Sequence, residues 1–98
     1  MDKFYLINLY DIYSSLLTDK QQEYFEDYYF DNLSLKEISE NYNVSRNAIH
    51  NSLKDVEEKL INYENKLEIY KKNEELKKII ERIKDKEIIK ELERVIVI

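Results

Sequence analysis

Six polar residues with helical spacing form the part of the sequence whose chemistry is clearest. They occupy one short stretch and are Ser45, Arg46, Asn47, His50, Asn51 and Lys54. Arg46, His50 and Lys54 stand four residues apart, so an α-helix would place them on one face. Arginine and asparagine side chains hydrogen-bond to base edges in the major groove, and lysine contacts phosphates. The pattern favours a DNA-reading helix face, but an ordinary solvated helix face carries the same residue types.

The acidic balance of the chain argues against strong DNA binding. The net charge is −5, and all the excess acid lies before residue 34, where two lysines stand against seven acidic residues. Asp55, Glu57 and Glu58 directly follow the polar cluster and would repel phosphates. Because phosphate affinity grows with the number of cations placed on the duplex, we expect weak affinity for random DNA. The alternative function is a protein or ribonucleoprotein interaction module that binds no DNA.

Residues that could carry catalysis or bind a metal are scarce in this sequence. The chain has no cysteine, no glycine and a single histidine, which excludes a zinc finger, a glycine-rich phosphate loop and a His-based metal site. The neighbouring carboxylates of Glu57-Glu58 and Glu74-Glu75 would diverge on a helix. The sequence therefore predicts no enzyme, no cofactor, no metal and no small-molecule substrate.

Residues 34–54 read as the helix-turn-helix that positions the polar cluster. Ser34 and Glu37 form a capping box that starts one helix, and Ser45 is a good N-cap for the next. Asn43 suits the left-handed conformation needed between them. The predicted core of this helix pair is apolar and consists of Ile38, Val44, Ile49 and Leu53.

A long apolar stripe continues beyond the helix-turn-helix. Ile49, Leu53, Val56, Leu60, Tyr63, Leu67 and Tyr70 follow steps of four and three, which is the 3.5-residue repeat of a helix seam. We predict one helix from 46 to 72, about 40 Å long, which is too long for its own domain to cover. The sequence thus predicts a homodimer, with an interface formed by Val56, Leu60, Tyr63, Leu67 and Tyr70.

The rest of the chain also has helical periodicity. Helices are predicted over 3–17, from Thr18 to about residue 31, and from a cap at Asn73, with a break near Asp85-Lys86. Turns between strands normally contain glycine or proline, and the chain has neither, so the predicted fold class is all-α. It comprises a three-helix core with a helix-turn-helix, followed by a long helix and C-terminal helices. We divide the chain into 1–72 and 73–98. The four final residues, 95–98, are apolar and could anchor on a partner or fray.

Location follows from what the sequence lacks. The opening residues form an amphipathic segment rather than a signal peptide, and no apolar run approaches membrane-spanning length. We expect a cytoplasmic protein without membrane insertion.

Three segments make the chain similar to a known family. The segments LTDKQQEYFEDYYF, SLKEISENYNVSRNAIHNSL and YENKLEIYKKNEEL resemble the YlxM family of Firmicutes and mollicutes. The resemblance implies a helix-turn-helix like that of sigma-factor region 4 and dimers formed through the long helix, in a family with no established catalytic activity. Genes of that family tend to adjoin those of the signal recognition particle GTPase and its receptor. This implies possible partners in that pathway, either the particle's protein or its RNA.

One residue departs from the usual pattern of such motifs. Ser39 stands where alanine is common, and its hydroxyl is expected to bond the carbonyl four residues back.

Overall fold

The structure is a computed structural model that describes residues 2–96, and over that range it is all-helical. The helices are α1 (Lys3–Tyr13), α2 (Asp19–Tyr29), α3 (Leu35–Tyr42), α4 (Arg46–Leu67), α5 (Ile69–Ile80) and α6 (Lys86–Arg94), with a 3-10 turn at Ser14–Leu16. The predicted all-α fold class, with its helix-turn-helix, is confirmed, and a long fourth helix is present but ends earlier than predicted.

Three of the predicted helix starts, at Thr18, Ser34 and Ser45, are present as hydrogen bonds. Capping boxes begin α2 at Thr18 and α3 at Ser34. In each box the side chain three residues later accepts a hydrogen bond from the backbone N–H of the cap residue. The Ser45 hydroxyl accepts the Ala48 N–H at 3.0 Å and starts α4. Asn43 adopts φ 56° and ψ 46°, the left-handed conformation that ends α3. Each such cap stabilises its helix by about 1 kcal/mol.

Two apolar clusters hold the helices together, and α2 and α4 contribute to both. The helix-turn-helix cluster is built on Tyr24, Ile38, Ile49 and Leu53. The second cluster joins α1 to α2 and α4, and its buried members are Leu6, Leu9, Tyr10, Tyr13, Leu17, Phe25, Val56 and Leu60. The α4 helix therefore supplies its first half to one cluster and its second half to the other.

The first helix is shorter than predicted. It ends at Tyr13 rather than at residue 17, because the Gln22 amide donates to the Ser14 carbonyl at 2.9 Å and to the Leu17 carbonyl at 3.2 Å. These bonds stabilise the 3-10 turn that replaces the last helical turn. Leu16 consequently lies on the surface, 55% exposed.

The prediction of a continuous helix from 46 to 72 is wrong. The α4 helix ends at Leu67, Glu68 adopts a left-handed φ of 54°, and α5 begins at once. The Glu64 carboxylate accepts the N–H groups of Tyr70 and Lys71, which a continuous helix would have bonded to α4. The predicted cap at Asn73 is wrong as well, since this residue is buried in the interior of α5.

The C-terminal helices extend the molecule. Its principal extents are 53 × 25 × 22 Å, and its radius of gyration is 16.7 Å, against about 13 Å for a compact domain of this size. The predicted break near Asp85 is confirmed, because its carboxylate caps α6. The predicted division at residue 72 is a position inside α5, whose first turn packs on α1. Of the apolar end, Val95 is 64% exposed, and Val97 and Ile98 lie outside the described residues.

Candidate nucleic-acid interface

A tight turn and an interhelical core set the position of α4 on α3. The Val44 N–H donates to the Ser39 carbonyl at 3.0 Å, which closes the turn around Asn43. Ile49 has no exposed surface and Leu53 is 5% exposed, so this side of α4 faces the core. The opposite side of its first half is therefore left to solvent.

Two expectations about this turn require correction. Val44 was predicted to belong to the core of the helix pair, but it is 39% exposed, and Leu35 and Tyr42 pack against this core instead. The Ser39 hydroxyl donates to the carbonyl of Lys36, three residues back rather than four, at 2.7 Å. Both differences leave the crossing of the two helices intact.

All six residues predicted to read DNA are exposed on α4 or its cap. Ser45 is engaged as the cap of the helix. Within residues 2–96, none of the remaining five side chains takes part in an ion pair or a hydrogen bond; they are Arg46, Asn47, His50, Asn51 and Lys54. Their donors are thus available to a ligand, and the sequence-based grouping on one exposed helix surface matches their placement.

Carboxylates border this surface at its C-terminal side. Lys54 shares a shallow depression with Asp55 and Glu58. Asp55 lies 3.9 Å from the Lys59 amine, a weak surface pair. On the first half of α4, the exposed cations without an acidic partner among residues 2–96 are therefore Arg46 and Lys54, and Lys66 is a further one near the other end of the helix.

Other acidic residues are held by tyrosine hydroxyls, a feature that the sequence did not reveal. The Tyr29 hydroxyl donates to the Glu57 carboxylate at 2.6 Å, and the Tyr10 hydroxyl donates to Glu26. The pKa of both tyrosines is raised, mainly by burial and secondly by these hydrogen bonds to carboxylates. Each pair joins two helices, so part of the acidic charge counted in the sequence has a structural role.

Two acidic residues of α2, Glu23 and Asp27, lie near Tyr42 of α3. Burial, and then the carboxylates of Asp27 and Glu23, raise the pKa of Tyr42 to about 12. The Tyr42 ring meets Tyr24 edge to face at 4.9 Å, and the Lys20 amine lies 4.6 Å from its centroid. Tyr24 and Tyr29 of α2 thus act in helix packing.

The five residues predicted for a dimer interface do not share one exposed stripe. Val56 and Leu60 have no exposed surface and belong to the core of the single chain. Tyr63 and Tyr70 are half-buried against tyrosine rings of α1, and only Leu67 is well exposed, at 48%. The 3.5-residue repeat therefore serves intramolecular packing in its middle part, which is not available to a partner.

Sequence reasoning missed Glu64, the one buried carboxylate of the described residues. It is 6% exposed and accepts the Tyr13 hydroxyl at 2.6 Å. Tyr13 is 51 positions away, so no local pattern could have linked the two residues.

Residues 2–96 contain no candidate membrane-spanning helix and no candidate metal site. No helix there is long and apolar enough to cross a bilayer. That range also contains no group of three or more side chains arranged to ligate a metal ion.

The fold and this surface define a helix-turn-helix protein. Over residues 1–97 the chain matches the family UPF0122, described as "Putative helix-turn-helix protein, YlxM / p13 like". It is 48% identical over 84 residues to a UPF0122 protein of Caldanaerobacter subterraneus subsp. tengcongensis, covering 86% of this chain and 72% of that protein. It is 47% identical over 90 residues to one of Ureaplasma urealyticum serovar 10, covering 92% and 91%. The chain belongs to the UPF0122 family, and the resemblance to YlxM is confirmed.

Proposed function

We propose that this protein is a DNA-binding regulator that presents the first half of α4 to the major groove. The observation that carries the proposal is the set of five exposed, unpaired donor side chains on a helix whose other side is locked into the α3–α4 core. Recognition helices of helix-turn-helix proteins use the same placement, with bases contacted near the helix N-terminus.

The spacing of the charged residues suits a groove. Arg46 and Lys54 are eight residues apart, or about 12 Å along the helix axis, which is close to the width of the major groove. Arg46 lies in the first turn and is assigned to a base edge, and Lys54 is assigned to a phosphate. Asn47 and Asn51 are assigned to adenine edges, the pairing that the amide geometry allows.

Fluorescence anisotropy with labelled duplexes tests this proposal. Two duplexes, one random and one from the region upstream of the protein's own gene, are titrated at several salt concentrations. We expect weak binding to the random duplex at physiological salt, given the net charge of −5. Lys54→Ala should lower the salt slope by about one unit, and Arg46→Ala should cost about 1–3 kcal/mol at one base pair.

A matched control separates the assigned cation from charge in general. Lys90 is also exposed but lies on α6, so Lys90→Ala removes the same charge away from the proposed interface. An equal loss of affinity for Lys54→Ala and Lys90→Ala would contradict the assignment of α4. Absence of binding to both duplexes at low salt would refute the regulator proposal.

A second candidate function is an interaction module, with the exposed apolar side chains of the C-terminal helices as its contact surface. Leu67, Ile79, Ile88 and Val95 are each 46–64% exposed, and α6 buries no residue within 2–96. Exposed apolar surface of this kind marks a protein contact where the side chains are contiguous. The candidates are a second copy of the chain and, by the family resemblance, the protein or RNA of the signal recognition particle in the cytoplasm.

Two measurements address this second candidate. Light scattering at tens of micromolar reports a homodimer, whose surface we confine to Leu67 and the apolar residues beyond it. Titration of the purified signal recognition particle GTPase, and separately of the particle's RNA, reports the other partners. A monomer that binds neither component would exclude this candidate.

A further inference from the structure

The junction between α4 and α5 conflicts with the local sequence. The 3.5-residue repeat continues without interruption from Ile49 to Tyr70, and it contains no glycine or proline that would end a helix. Yet Glu68 adopts a left-handed conformation, with φ 54° and ψ 31°. This conformation is unfavourable for a residue with a Cβ atom, so interactions elsewhere must stabilise the bend.

The backbone hydrogen bonds locate those interactions. A continuous helix would bond the N–H groups of residues 69, 70 and 71 to carbonyls of α4, and the bend removes those three bonds. The flanking bonds survive, since the Glu68 N–H still donates to Glu64 and the Lys72 N–H donates to Glu68. The bend thus frees three donors.

Two side chains accept all three of these donors. The Ile69 N–H donates to the Tyr13 hydroxyl oxygen at 3.3 Å. The Tyr70 N–H donates to Glu64 Oε1 at 3.0 Å, and the Lys71 N–H donates to Glu64 Oε2 at 3.1 Å. The Tyr13 hydroxyl in turn donates to Glu64 Oε1, so the two acceptors are bonded to each other.

The environment of these groups favours the bonded arrangement. Tyr13 is 1% exposed and Glu64 is 6% exposed, so water competes little for their bonds. Three donors, the N–H groups of Tyr70 and Lys71 and the Tyr13 hydroxyl, lie within hydrogen-bonding distance of the Glu64 carboxyl group. Burial, and then the bond to Glu64, raise the pKa of Tyr13 to about 12, so its hydroxyl remains a donor at neutral pH.

We propose that Glu64 and Tyr13 form a latch that holds the chain bent at Glu68, and that opening the latch lets α4 and α5 join into one helix. In the bent form, α5 packs on α1 through Ile69 and Tyr70. In the straight form this contact is lost, and the apolar repeat extends past Leu67 as an exposed seam. The latch therefore sets the direction of the C-terminal helices, a device that rests on no part of the proposed function.

A distance measurement between two spin labels tests the latch. The chain contains no cysteine, so Asp55→Cys and Lys78→Cys, both exposed, would give two unique labelling sites on α4 and α5. A continuous helix would separate the two backbones by about 35 Å, and the bend makes this distance shorter. We expect one short distance in the chain that carries only the two labelling substitutions. Adding Glu64→Ala should produce a second population at about 35 Å.

Further variants keep the test decisive if Glu64→Ala destabilises the fold. Tyr13→Phe preserves the packing of the ring and removes only the hydroxyl, and it should also populate the longer distance. Glu68→Gly removes the steric penalty of the left-handed conformation, so adding it to Glu64→Ala should restore the short distance. Glu58→Ala removes an exposed carboxylate of α4 and serves as the matched control. Unchanged distances in both Glu64→Ala and Tyr13→Phe would overturn the proposal.

Discussion

Replacing Ile49 by alanine is the most direct perturbation of the core that positions α4. Ile49 has no exposed surface and packs with Ile38, also fully buried, and with Leu53. The substitution removes three carbon groups, each contributing about 0.8 kcal/mol when buried, or about 2.4 kcal/mol in total. The capped helices on both sides restrict collapse, so a cavity term adds to this loss and brings it to about 3–4 kcal/mol. The melting temperature should fall by at least about 12 °C.

Urea unfolding followed by far-UV circular dichroism measures this loss, and Val44→Ala provides the matched control. Val44 is adjacent to the same turn and is also a β-branched aliphatic residue, but it is 39% exposed, so its truncation should cost less than about 0.5 kcal/mol. Equal losses at the two positions, or a loss at Ile49 below about 0.5 kcal/mol, would refute the packing described for α3 and α4.

Two further predictions use other parts of the structure. Leu60→Glu should destabilise the chain by at least about 3 kcal/mol in urea, because Leu60 is fully buried. Leu67→Glu on the exposed surface should leave stability unchanged and, under the homodimer proposal, lower the mass measured by light scattering. Tyr13 and Tyr42 have pKa values raised from 10.0 to about 12, so the stability that they contribute is complete below pH 10 and is lost as pH rises through about 12. Tyrosinate absorbance rising together with the loss of circular dichroism would support this linkage, and ionisation of every tyrosine near pH 10 in the folded chain would contradict it.

Helix starts could be predicted from the sequence because their causes are local. A capping box involves residues three positions apart, as at Ser34 and Glu37, and Asn43 tolerates the left-handed conformation through its own side chain. The exposed polar face of α4 was also predictable, because Ile49 and Leu53 fix which side of the helix is inside. In these cases the sequence spacing and the tertiary packing lead to the same arrangement.

The bend at Glu68 could not be predicted, because its cause is tertiary. Glutamate is a good helix former, and the apolar repeat continues beyond it. The stabilising partner is the Tyr13 hydroxyl, which only the packing of α1 on α4 brings to Glu64. The same packing explains why the predicted dimer seam is interrupted, since α1 covers Val56 and Leu60 within one chain.

The two halves of α4 carry different interactions, and this division bears on the acidic charge of the chain. DNA affinity depends on the cations placed at the duplex rather than on the overall balance of charge. On the first half, Arg46 and Lys54 have no acidic partner, whereas on the second half Glu57 and Glu64 are bound by tyrosine hydroxyls at helix contacts. Because the carboxylates of α4 that make these contacts are committed to the fold, neutralising them would weaken the structure before it improved DNA binding. Two available cations with amide side chains between them fit weak general affinity combined with base-specific contacts, which is the behaviour that the proposed regulator would show.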